Sequence, residues 1–169
     1  MNIALSVKSE TTEKISNRHI SEALAAYKPN YHLVKAASRA NSEHGVFTNV
    51  LLDEYPFTVE KMKYCSINLL NLSIEQALIV HLDWDISEGR RSGFWGNLFR
   101  FREIISCGCG LVPKLNIRVF DKVDIGSQIT LHTKIKQERS KRDSYIFRFE
   151  VESIGVLSCS GIGYIIKQL

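Results

Sequence analysis

The chain has 169 residues, with 22 Lys and Arg against 18 Asp and Glu for a formal charge of +4, and 44% of its residues are hydrophobic. That length suits one domain, residues 1–169, able to bury about two-thirds of the surface its unfolded chain would expose, and three prolines without a repeat or low-complexity run weigh against disorder or a long linker. The basic excess is small for a nucleic-acid-binding protein and favours at most an anionic ligand, such as a phosphorylated cofactor or an acidic carrier protein.

The opening MNIALSV is too short an apolar run for a signal peptide, and the most apolar long stretch, 64–85, contains Asn71, Glu75, Gln76, His81 and Asp83, too polar for a membrane span. The expectation is a soluble cytoplasmic protein. Cysteines stand at 65, 107, 109 and 159, and Cys107-Gly-Cys109 has one spacer and no matching second pair, so free thiols are expected rather than a zinc or thioredoxin-type site. Neither a metal nor a cofactor is expected. No Gly-x-Ser-x-Gly, His-Glu-x-x-His or phosphate loop occurs, so serine hydrolase, zinc protease and NTPase chemistries lack their parts.

From about Glu13 to Lys28, Ile15, Ile20, Ala23, Leu24 and Tyr27 recur at helical spacing, with Pro29 as the stop. Tyr31 begins an extended segment, Gly45–Leu52 reads as a strand, and Asp53–Pro56 breaks it before an irregular approach over 57–65. A long central helix is expected over about 71–85, with Ser73 and Gln76 at capping-box spacing. At about 100° per residue, Ile74, Leu78, Ile79 and Leu82 share one arc with Asn71 and Glu75. Ser73, Gln76 and Asp83 fall on another side, where solvent or a polar partner satisfies them. Glu75 is the odd residue: a carboxylate among branched aliphatics must be neutralised, hydrogen-bonded or paired, which makes it a site candidate.

Residues 87–102, SEGRRSGFWGNLFRFR, interleave aromatics with arginines. A loop or short helix here would cover one end of the core or the mouth of a pocket, Trp95 on its wall and Arg90 and Arg91 free to meet the phosphates of coenzyme A or a phosphopantetheine arm. Base stacking is the lesser alternative. Antiparallel strands are then expected over about 103–167: Leu115, Ile117 and Val119 alternate with polar residues, as do Ile129, Leu131, Thr133 and Ile135, and Tyr145, Phe147, Phe149 and Val151. SKRDS, 140–144, reads as a hairpin turn. The last strand, 156–166, carries Gly161 and Gly163, with Gly155 just before it, where a bulge or a close backbone approach is expected.

Besides Glu75 as general base, Asn68 and Asn71 near the helix start are candidates to hold a carbonyl beside free backbone N–H groups, with helix capping as the alternative. Tyr64 and Tyr31 are candidate hydrogen-bond donors to a carbonyl or carboxylate. His81 lies six residues from Glu75, on a different side of the helix, and reads better as a core or interface histidine than as a proton-transfer partner, unless a second subunit supplies it.

A long apolar helix followed by a meander, with Asp121-Lys-Val-Asp-Ile-Gly126 leading into a long strand, resembles the hotdog fold of acyl-thioester enzymes: an α+β layout in which a curved antiparallel sheet wraps a long central helix, here with an extra N-terminal helix. Within that superfamily the chain is most similar to FcoT-like proteins, known as long-chain fatty acyl-CoA thioesterases; one member adds glycine to an enoyl group on an acyl carrier protein. Tyr64 and Tyr31 fall where that family has tyrosines, and Ile74-Glu75 where it has Val-Glu. His81 replaces an asparagine, and Leu70-Asn71-Leu72 replaces its His-Phe-Asn. The resemblance implies an acyl-CoA or acyl-carrier-protein substrate, a homodimer or higher homo-oligomer, and thioester hydrolysis. Catalysis would fall to Glu75, Tyr64 and Asn71, and substrate binding to Tyr31, Asn68, His81, Arg90, Arg91 and Trp95. Conjugate addition of glycine or another amine to an enoyl thioester, hydroxyacyl-thioester dehydration, and a non-catalytic acyl-binding protein are the alternatives.

Overall fold

The computed structural model describes residues 13–39, 43–52 and 63–167. They form a seven-stranded antiparallel sheet and three helices. The strands are β1 (Glu13–Lys14), β2 (Val34–Arg39), β3 (His44–Val50), β4 (Gly110–Val119), β5 (Gln128–Lys141), β6 (Ser144–Ser153) and β7 (Leu157–Ile166), and the helices α1 (Asn17–Ala23), α2 (Ile67–Ser87) and α3 (Leu98–Ser106). The sheet order is β1-β2-β3-β5-β6-β7-β4, so β4 is an outer strand although it comes mid-chain. The sheet curves around α2, which is the expected arrangement.

Strand alternation holds where it was clearest. Ile129, Leu131, Thr133 and Ile135 on β5 and Tyr145, Phe147, Phe149 and Val151 on β6 are all buried, because a period of two puts every second side chain on the face toward the helix. The β5–β6 turn falls at Arg142-Asp143, closed by Lys141 opposite Ser144. The glycines of β7 are sites of close approach. Gly163 lies opposite Phe147 and Gly161 opposite Phe149, and an added Cβ would meet those rings at 2.2 and 2.5 Å. The two rings therefore lie over bare backbone, which packs them flat against the sheet. The register also shifts where β4 faces these glycines, between Leu111 and Lys114, across from Gly163.

Three expectations need correction. The N-terminal helix spans seven residues, not 13–28: Ser16 caps it by accepting from the His19 N–H, and Glu13–Lys14 pairs with β2 as a strand. The central helix starts earlier than 71 and runs to Ser87. Its N-cap is Ser66, whose hydroxyl accepts from the Leu69 N–H at 3.2 Å, leaving Ser73 inside the helix. Residues 103–106 are helical rather than extended. Asn97 caps α3 by accepting from the Arg100 N–H at 2.9 Å, and Phe101 and Ile104, three apart, face the core. The predicted break at Asp53–Pro56 and most of the approach to the helix lie in residues 53–62, outside the described residues.

α2 is buried along nearly its whole length, so its polar residues meet protein rather than solvent. Asn49 on β3 donates to the Ser73 carbonyl at 3.0 Å and hydroxyl at 2.7 Å. Gln76 accepts from the Leu33 N–H and donates to the Tyr31 carbonyl, both at 2.8 Å. Asp83, also fully buried, receives two bonds from Arg102, at 2.8 and 2.9 Å, and lies 2.7 Å from His19. Each pair satisfies a group that burial would otherwise penalise, and each ties a separate element to the helix.

Candidate active site

One arc of α2, Glu75, Leu78, Ile79 and Leu82, forms the wall of a cavity of about 240 Å³. The other walls come from Tyr27 after α1, Ile105 at the end of α3, Phe147 on β6 and Tyr164 on β7. Glu75 is partly buried among these side chains. Burial pushes its carboxyl pKa above the ordinary value, opposed by the nearby Tyr27 hydroxyl. The same burial, with the adjacent carboxylate, pushes the Tyr27 phenol pKa up, so that it stays a donor. Among the described residues, no lysine or arginine lines the cavity. Such a carboxyl, with an apolar surround and no counter-ion among the described residues, has a raised proton affinity.

Tyr27 is the residue that sequence reading missed. Its spacing puts it on the packing face of the first helix; in the structure that helix ends at Ala23, and Tyr27 lies in the following turns, its amide bonded to the Leu24 carbonyl at 2.9 Å. Its signal was positional only: an aromatic hydroxyl at a helix end, ahead of a proline.

The other candidates do not gather around Glu75. Tyr64 is exposed beyond the N-terminus of α2, in an isolated bridge to Asp124, with the Lys63 and Lys122 amines 5.3 and 5.1 Å from its ring centre. Asn68 is exposed, and Asn71 is partly buried with its side-chain oxygen shielded from solvent and without a hydrogen bond among the described residues. Tyr31 sits in a short 3-10 turn and serves Gln76 through its backbone carbonyl.

His81 is buried on the sheet side, its Nδ1 2.7 Å from the Thr133 hydroxyl and its ring 5.8 Å from that of Phe47, the core position expected from its angle to Glu75. Trp95 is buried edge-on against Phe101 and Tyr145, at 5.3 and 4.9 Å.

Arg90 and Arg91 stand at the C-terminal end of α2, in an ion-pair cluster. Arg91 reaches Asp85 at 2.5 Å and also pairs with Glu138. Arg90 reaches Glu88 at 2.6 Å and Glu13 at 3.5 Å. At the centre, buried Arg39 donates to Asp85 at 2.9 Å and Glu13 at 2.8 Å, pairs with Glu88, and lies 4.2 Å over the Trp84 ring. Burial raises the Asp85 carboxyl pKa while Arg91 and Arg39 pull it down. Their charges are thus met by the protein's own carboxylates.

Burial also pushes the thiol pKa of Cys65 up to about 11 and that of Cys159 up to about 12, which leaves both poor nucleophiles. Among the described residues, no group of three or more His, Cys, Asp or Glu side chains is placed to hold a metal ion, and no helix is long and apolar enough to cross a membrane.

No family model matches the sequence, and no curated protein matches it. Solved structures do match. The PaaI protein of the E. coli phenylacetic acid degradation operon is 11% identical with a TM-score of 0.50, over 86% of this chain and 92% of that one. The dehydratase heterocomplex ApeI:P from Xenorhabdus doucetiae is 12% identical with a TM-score of 0.53, over 88% and 91%. The dehydratase domain of RzxB from Pseudomonas fluorescens is also 12% identical with a TM-score of 0.53, over 95% of this chain and 52% of that one. At these identities the likeness establishes the fold: the chain has the hotdog architecture.

Proposed function

We propose that the chain is an acyl-thioester enzyme, a thioesterase in which Glu75 is the general base. The observation that carries this reading is a carboxyl of raised proton affinity facing an apolar cavity that no cation among the described residues lines. In the reaction, the Glu75 carboxylate takes a proton from water as the water oxygen attacks the thioester carbonyl; the tetrahedral intermediate then expels the thiolate, which leaves with a proton. Tyr27 orients the carboxylate and restrains its pKa. The cavity volume equals roughly eight water volumes, room for an acyl segment of about eight heavy atoms.

The FcoT-like resemblance supports a fatty acyl-CoA or acyl-carrier-protein substrate, and PaaI and the two dehydratase structures, alike in fold, are compatible with it. Hydroxyacyl dehydration is disfavoured within one chain, because His81 faces Thr133 rather than Glu75. A cytoplasmic homodimer is the assembly we infer, as the FcoT-like resemblance implies.

The experiment is incubation of the protein and its Glu75→Gln variant with saturated and 2-enoyl thioesters, with and without glycine, followed by mass spectrometry. Free acid that vanishes in the variant supports hydrolysis. A glycine adduct moves the assignment to conjugate addition, and acyl-thioester binding without any product leaves a binding protein.

A further inference from the structure

The face of the sheet turned away from α2 carries charge that neither the core nor the cavity uses. There Lys114 and Asn116 on β4, Ser160 on β7, Arg148 and Glu150 on β6 and Lys136 on β5 line an open groove of about 350 Å³. Three cations face a single carboxylate. Lys136 stands directly opposite Arg148 in the β5–β6 ladder, an arrangement that costs stability when the charges are alike. Glu150 answers Lys136 at 2.6 Å. Among the described residues no carboxylate pairs with Lys114 or Arg148.

Lysines on outer strands commonly guard against edge-to-edge pairing, which accounts for Lys114 on β4. It does not account for Arg148, which is paired with Lys136 of β5 on one side and Ile162 of β7 on the other and so protects no edge. Between Lys114 and Arg148 the β7 floor is Ile162, and Ser160 is the next residue on the same face, with Asn116 directly across from it on one side and Glu150 on the other. Apart from Ile162 and Glu150 the side chains on this face of the groove are polar donors, and the volume is that of roughly a dozen waters, which suits a small polar anion. Along β4 and β7 a second groove continues past Asn116 and Ser160 to Arg118 and Ser158.

We propose that this groove is a second ligand site, separate from the Glu75 cavity, for a small molecule bearing a phosphate or diphosphate ester. The Arg148 guanidinium supplies paired donors in the geometry of a phosphate edge; Lys114 and Lys136 add charge from either side, and Ser160 and Asn116 donate from the floor.

The test is calorimetric titration of the full chain with pyrophosphate and with ADP, at low and physiological salt. Saturable binding of one anion per chain is expected, weakened about tenfold or more in Arg148→Gln and in Lys114→Gln and strengthened in Glu150→Gln. It should be unchanged in Lys141→Gln, at the nearby hairpin, and in Glu75→Gln. Thermal unfolding checks that each variant is folded. Absence of saturable binding at millimolar pyrophosphate and ADP overturns the proposal, as does equal affinity in all variants. Loss in Glu75→Gln would assign the anion to the acyl cavity instead. Binding of single-stranded RNA without pyrophosphate binding would replace the site with a polyanion surface.

Discussion

The two halves of α2 bury carboxylates under opposite conditions. Toward its C-terminus, Asp83 and Asp85 are both fully buried and both held by arginine, Asp83 by Arg102 and Asp85 by Arg39 and Arg91. Nearer the N-terminus, Glu75 is less buried, faces a cavity and has a tyrosine hydroxyl in place of a cation. A buried carboxylate locked to a guanidinium is committed to structure, because proton or ligand transfer there would strand the arginine's charge. One beside an apolar cavity keeps its proton exchangeable. The difference separates the residues that hold the helix in place from the one to which we assign chemistry.

The largest effect in breaking this contrast belongs to the structural end. Arg39→Met strips Asp85, Glu13 and Glu88 of a shared partner and is expected to cost about 3–5 kcal/mol, a melting temperature lower by roughly 6–20 °C by calorimetry in a chain of this size. Glu75→Gln inverts the pattern: turnover of an acyl thioester falls by roughly 10²–10⁴-fold, while stability rises.

The sign of that rise follows from the raised pKa. Wild type binds the proton more tightly folded than unfolded, so its contribution is fully present below the ordinary glutamate pKa of 4.5 and is lost as pH climbs through the higher folded value. Glutamine is flat over that window, so melting curves of the two proteins should diverge above about pH 4.5 and run parallel once Glu75 is ionised.

Tyr27→Phe sharpens the comparison at smaller cost. It removes the hydroxyl that lowers the Glu75 pKa, so the acidic limb of the pH–rate profile should move to higher pH, with a loss of about tenfold at neutral pH, the effect of one polar contact. Tyr64→Phe is expected to do least, within about 0.5 kcal/mol of wild type in stability and with unchanged turnover, since Tyr64 is exposed and does not line the cavity.

The oddity of Glu75 was legible in the sequence, because a helix repeats its faces every 3.6 residues and a carboxylate in an aliphatic arc stands out by position alone. Its partner was not. Tyr27 precedes it by 48 positions, and nothing local distinguishes a tyrosine that packs from one that donates across a cavity. The same limit explains Asp83 and Gln76. Their side of the helix read as available to solvent or a polar partner, whereas the helix is enclosed and Arg102, His19 and backbone groups of the Leu33 region complete the polar set. Arg90 and Arg91 read as free cations for the same reason: Glu13 and Glu138 lie 77 and 47 positions away in the chain.

What the sequence determined by itself is whatever depends on short-range periodicity: the strand faces of β5 and β6, the hairpin at 140–144, the existence of a long buried helix, and Glu75 on its apolar arc. Tertiary structure decided what depends on contacts between distant residues. It chose Ser66 as the cap of α2, drew Glu13–Lys14 into the sheet, gave the buried aspartates their arginines, and set Tyr27 against Glu75. Local spacing is encoded within a turn or a pleat, whereas pairing of charges and the shape of a cavity are settled only when the sheet closes over the helix.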